Sequence, residues 1–157
     1  MQIMKIKSMY LMVLTLVTLA FVGCSKDDDN TVPTENKGAL KVTVTTSSSF
    51  SVDGGEVSVS CGSMGSNAKP QTWTVNGAAG TAGQVLYSVE KEYFQAGKTA
   101  VLESPANYLT ASVNISAFSI KQPFTLTYKV EQGGKVIVEK SQEIKSGVTP
   151  ISVSLTY

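Results

Sequence analysis

The chain has 157 residues, with 13 Lys, no Arg and no His against 12 Asp and Glu, for a formal net charge of +1; that is room for one domain and little more. Without arginine there is no planar fork to clamp phosphates or carboxylates, and without histidine the commonest general base and metal ligand is gone. The lysines are scattered singly, which excludes the clustered basic footprint of a nucleic-acid binder.

Residues 1–23 read as a secretory leader. Lys5 and Lys7 precede an apolar run from Leu11 to Val22, followed by the small residue Gly23. The run is shorter than the roughly 20 apolar residues that a membrane-spanning helix needs. From Cys24 onward the chain carries 11 Lys against 12 acids and is close to neutral. The junction Phe21-Val22-Gly23-Cys24 resembles the lipobox of bacterial lipoproteins, with Phe21 standing where a leucine is usual. The resemblance implies that Cys24 receives a diacylglycerol, that cleavage falls just before it, and that acyl chains of the palmitate class hold the protein in a membrane. One chain binds marginally and two or more bind stably, at about 0.8 kcal/mol per buried methylene.

Ser25, Lys26, Asp27, Asp28 and Asp29 follow at once, and this order resembles the acidic export tag of surface lipoproteins of Bacteroidetes-type bacteria. The implied location is the outer membrane, with the domain exposed at the cell surface. The acid run is not itself an anchor, because anionic lipid repels it. It also lacks the glycine turn and spaced final glutamate of a calcium loop, so no metal is expected. Residues 24–37, polar and carrying Pro33, form a tether spanning at most roughly 40 Å.

Residues 38–157 alternate with period two. Leu40, Val42 and Val44 share one parity and Lys41, Thr43 and Thr45 the other, the pattern of a strand with one buried face. Phe50 and Val52, Asp53-Gly54-Gly55, then Val57, Val59 and Cys61 read as a tight hairpin. Trp73 and Val75 precede an Asn76-Gly77 turn; Val85, Tyr87 and Val89 alternate, as do Leu109, Ala111, Val113 and Ile115. Phe124, Leu126, Tyr128 and Val130 lead into a Gly133-Gly134 hairpin, and Ile151, Val153, Leu155 and Tyr157 close the chain. Eight to nine short strands with no helix after the leader predict an all-β, two-sheet, immunoglobulin-like antiparallel sandwich. The stretch "SSSFSVDGGEVSVSCGS" and the later Trp-Thr-Val strand resemble the opening of the BACON family of immunoglobulin-like modules, which implies the same fold.

Few residues suit catalysis. Cys61 shares the parity of Val57 and Val59 and has no histidine to activate it. With Cys24 acylated it also lacks a disulfide partner. Glu90 and Glu92, two apart on one strand, would crowd one side of a sugar instead of flanking it as a glycosidase pair does. Asn114-Ile115-Ser116 matches a glycosylation acceptor, and "GAAGTAG" is glycine-rich without a strand-to-helix context for phosphate. Four aromatics remain as ligand-binding candidates. Trp73 has the parity of core, one of the adjacent pair Tyr93 and Phe94 must point outward from a regular strand, and Tyr108 sits at a loop-to-strand junction. The expectation is a non-catalytic tethered module, without a cofactor, that binds an extracellular glycan or a partner protein. The alternative is an assembly subunit of an outer-membrane complex that pairs through edge strands.

Overall fold

A computed structural model describes residues 37–157; the leader, Cys24 and the acidic run of the export tag lie outside the described residues. Ten strands and one helical turn follow in order: β1 (Leu40–Thr46), β2 (Gly55–Gly65), β3 (Thr74–Val75), β4 (Ala78–Ala79), β5 (Tyr87–Val89), α1 (Lys91–Phe94), β6 (Thr99–Glu103), β7 (Tyr108–Ser119), β8 (Phe124–Gln132), β9 (Lys135–Ile144) and β10 (Ile151–Thr156). They build two antiparallel sheets, one in the order β4-β3-β6-β1-β8-β9 and the other β10-β7-β2-β5. The expected all-β sandwich is therefore present, with ten strands instead of eight or nine because the short β3 and β4 each count.

Alternation fills the space between the sheets. Leu40, Val42 and Val44 from β1, and Leu126 and Val130 from β8, meet Val57, Val59 and Cys61 from β2 and Val113 and Ile115 from β7, all buried. Each buried aliphatic side chain contributes about 1.5–3 kcal/mol. The outer parity of β1 and β8 is threonine and charge, as suits an antiparallel sheet with one solvated face. Two of the three predicted tight turns close hairpins. Asn76 and Gly77 take φ of 52° and 80°, and Gly133 and Gly134 take 56° and 80°; two successive positive φ values make the turn whose twist matches a hairpin.

Four details differ from the sequence-based expectation. Phe50 and Val52 do not form a strand paired with β2. The chain crosses there from the six-stranded to the four-stranded sheet, and Phe50 plugs the gap between them, edge-on to Phe124 at 4.9 Å between ring centroids. Leu109 faces solvent while Tyr108 is buried, because a register irregularity opposite Met64 and Gly65 shifts the start of β7. Val85 and Leu86 are exposed, and β5 begins only at Tyr87.

Residues 91–94 form a helical turn, not a strand. Ala96 and Gly97, both at positive φ, reverse the chain just after it. Neighbours on a helix diverge by about 100° instead of 180°. Phe94 is therefore fully buried while Tyr93 also packs on the core's margin, and the Thr46 hydroxyl donates to the Phe94 carbonyl at 2.9 Å.

Candidate functional site

The four aromatic candidates do not form a binding platform. Trp73 is fully buried, its indole N–H donating to Ser63 Oγ at 2.9 Å, and Ser63 Oγ in turn donating to Gln71 Oε1 at 2.8 Å. Phe94 is fully buried. Tyr108 is also buried; its hydroxyl accepts from Gln132 Nε2, and Lys37 Nζ stands 5.4 Å from its ring centroid. Burial raises the Tyr108 pKa, with the Gln132 hydrogen bond opposing. Burial, and next the proximity of Tyr108, raise that of Tyr157. Tyr93 alone stays partly open: its hydroxyl donates to the Thr99 carbonyl at 3.0 Å, and Lys98 Nζ lies 5.8 Å from its ring centroid. A stacked sugar needs an exposed ring face, and three of these four rings have none.

Catalytic groupings fare no better. Glu90 precedes α1 and Glu92 lies in its single turn, both exposed, while Lys91 between them pairs with Glu56. The groove beside the Gly133-Gly134 turn holds Lys41, Glu103 and Glu131, but its charges are paired locally, Lys41 to Glu103 at 3.0 Å and Glu131 to Lys129 at 3.2 Å. Among the described residues no group of three or more His, Cys, Asp or Glu could hold a metal ion.

Cys61 lies in the core, where burial pushes its thiol up to about 12. Iodoacetamide should leave it unmodified in the native chain and modify it in step with unfolding in urea; modification of the native chain at the unfolded rate would mean that β2 opens locally. Because the folded-state value is raised, the thiol's contribution to stability is intact below about pH 9 and is lost as pH rises toward 12.

The feature the fold leaves incomplete is β10. Of the four sheet margins, three are blunted. β4 has two residues and β5 three. β9 places Lys140 and Gln142 on its inner face, opposite the buried Tyr128 and Leu126, and inward charge on an edge strand deters pairing. β10 has none of these devices. Pro150, which cannot extend a ladder, precedes it, and "ISVSLT" then runs six residues without a charge or a proline.

β10 pairs with β7 on one side, Ile151 opposite Ala117 through Thr156 opposite Ser112. Tyr157 and Ala111 exchange both backbone bonds, at 2.9 and 3.0 Å. By antiparallel alternation Leu155, Val153 and Ile151 also bond to β7, and the N–H and C=O groups of Ser152, Ser154 and Thr156 point away from it. Ile151, Val153, Leu155 and Tyr157 line the inner face and are only partly buried. On the outer face, register aligns Ser88, Ser60, Asn114 and Ser154 in one row and Ser58, Ser116 and Ser152 in the next, a surface of hydroxyls and amide without charge. Ser154 Oγ donates to Asn114 Oδ1 at 2.8 Å.

The class that fold and edge define together is a two-sheet antiparallel sandwich with, among the described residues, one undefended margin. Three solved structures share this fold. A domain of unknown function, DUF4425, from Bacteroides vulgatus superposes with a TM-score of 0.59 at 20% identity, covering 78% of this chain and 96% of that one. A DUF4425 family protein from Bacteroides ovatus gives 0.54 at 11%, covering 77% and 94%. The calcium-bound form of a protein from Parabacteroides distasonis gives 0.58 at 18%, covering 84% and 99%. No family model matches the chain, and no curated protein matches it.

Proposed function

We propose that the protein is a non-catalytic lipoprotein, anchored through Cys24 in the outer membrane and presenting its sandwich outward on the tether, where it docks a partner protein by adding a strand to β10. The undefended edge is the observation that carries this reading. Exposed backbone donors and acceptors supply affinity in such pairing, and the alternating apolar side chains supply register. A protein partner is favoured over a glycan because Trp73, Phe94 and Tyr108 present no ring face to solvent.

Both halves of the reading are tested in intact Bacteroidetes cells expressing the full chain. Labelled palmitate should enter the wild type and not Cys24→Ala; label persisting in that variant overturns the anchor. Formaldehyde adducts to other chains should form with the wild type and be lost in Ser154→Pro. That substitution removes an N–H pointing away from β7 and so spares the ladder. Adducts unchanged in Ser154→Pro overturn docking at β10.

A further inference from the structure

We infer that the strand β10 accepts is the β10 of a second copy of this chain, paired antiparallel about a two-fold axis through Ser154. This rests on the docking reading above and names its occupant. A two-fold interface must be complementary to itself, and β10 meets that condition on three counts.

The first is charge. No side chain from 151 to 157 is charged near neutral pH, so no like side-chain charges meet when the strand faces its own copy. β9, with Lys135, Glu139, Lys140 and Glu143, could not be superposed on itself so freely.

The second is hydrogen bonding. The outward backbone groups belong to Ser152, Ser154 and Thr156. Centring the axis on Ser154 sets Ser154 against itself and Ser152 against Thr156, so every outward donor meets an outward acceptor. Moving the centre one pair toward the N-terminus sets Thr156 against Pro150, which has no N–H. A slip by one residue turns the hydroxyl side of one strand to the apolar side of the other.

The third is packing. In the centred register Val153 faces Leu155 of the copy and Ile151 faces Tyr157, the close pairs of an antiparallel ladder. These four side chains are the ones left partly exposed along β10. On the outer face the row Ser88, Ser60, Asn114, Ser154 continues into its own mirror order, so the two four-stranded sheets become one of eight. A single strand-pair seam is smaller than the roughly 1,200–2,000 Å² of stable interfaces, so the pairing draws on confinement of both copies to one membrane, which raises their effective concentration.

The register makes the test specific. Hydrogen-bonded partners in an antiparallel pair have Cα atoms about 5.5 Å apart, inside the span a disulfide bridges. Ser152 and its own copy would be offset by four residues, roughly 13 Å, beyond it. Full-length Ser154→Cys, expressed in its membrane and mildly oxidised, should run as a reducible dimer. Ser152→Cys alone should stay at the background set by the wild type, whose Cys61 is buried, and should cross-link when co-expressed with Thr156→Cys.

Failure of Ser154→Cys to dimerise, or equal dimerisation of Ser152→Cys, overturns self-pairing. If it fails while adducts sensitive to Ser154→Pro persist with other proteins, docking at β10 stands and only the occupant is wrong. If both are lost, both readings fall. Circular dichroism of each variant distinguishes loss of pairing from loss of fold, and a Ser154→Cys chain that retains the wild-type spectrum without cross-linking counts against the proposal.

Discussion

Trp73→Ala should lower the stability of the sandwich by about 3–5 kcal/mol, the usual cost of truncating a buried tryptophan. The side chain has no solvent-accessible surface, and deletion would leave a cavity under β3 that the short hairpin of β3 and β4 cannot collapse without losing its pairing to β6. A domain of this size has about 5–15 kcal/mol in total, so the variant should melt on the order of 10–20 °C lower. Urea denaturation must be followed by far-ultraviolet circular dichroism, since the substitution removes the only tryptophan. Ser63→Ala removes the acceptor of the indole N–H and should cost about 1–3 kcal/mol by orphaning a buried donor. Adding Ser63→Ala to Trp73→Ala should cost much less than Ser63→Ala alone, because the donor it would orphan is already gone. A loss below about 1 kcal/mol for Trp73→Ala would mean that the chain repacks around the missing ring.

What could be read from the residues, and what could not, divides by the range of the interactions involved. The hairpin from Phe124 to Ile144 is local: its alternation and Gly133-Gly134 state both strands and the reversal between them, and the structure has both. Asp53-Gly54-Gly55 likewise announces a reversal, but turn chemistry does not say whether the incoming chain joins the same sheet or the facing one, and here it joins the facing one. Leu109 and Tyr108 exchange faces because of an irregularity opposite β2, of which β7's own sequence carries no trace. Edge status is the same kind of property. "ISVSLT" reads plainly as a half-buried strand, yet only the strand order shows that nothing described covers its far side while β4, β5 and β9 are each blunted. The aromatic candidates mislead for a related reason: parity places Trp73 inward correctly, Phe94 sits where a helical turn replaces the regular strand that parity assumes, and Tyr108, at its loop-to-strand junction, is turned inward by the bulge.

Gly62→Ala should cost about 1–3 kcal/mol, the range for forcing extra volume into a packed site. Gly62 lies on the outer parity of β2, among the serines, but it is buried because the chain ahead of β5 folds across it. An added Cβ would overlap the Val85 carbonyl oxygen, a backbone atom that no rotamer change can move. Relief requires the segment leading into Tyr87 to lift, and β5 is held to β2 by only three pairs, Val59 with Val89, Ser60 with Ser88 and Cys61 with Tyr87. The damage should therefore be local before it is global. Amide hydrogen exchange at 87–89 should quicken well ahead of exchange in β7 and β8, and protease should cut near the already exposed Val85 and Leu86. Gly77→Ala is the control: nothing lies within 4 Å of its Cβ position, so its cost comes from φ of +80° and should leave exchange in β5 unchanged. Equal quickening at 87–89 in both variants would show that β5 answers to global stability and not to the contact at Gly62. The margin opposite β10 would then be guarded by the shortness of β5 alone.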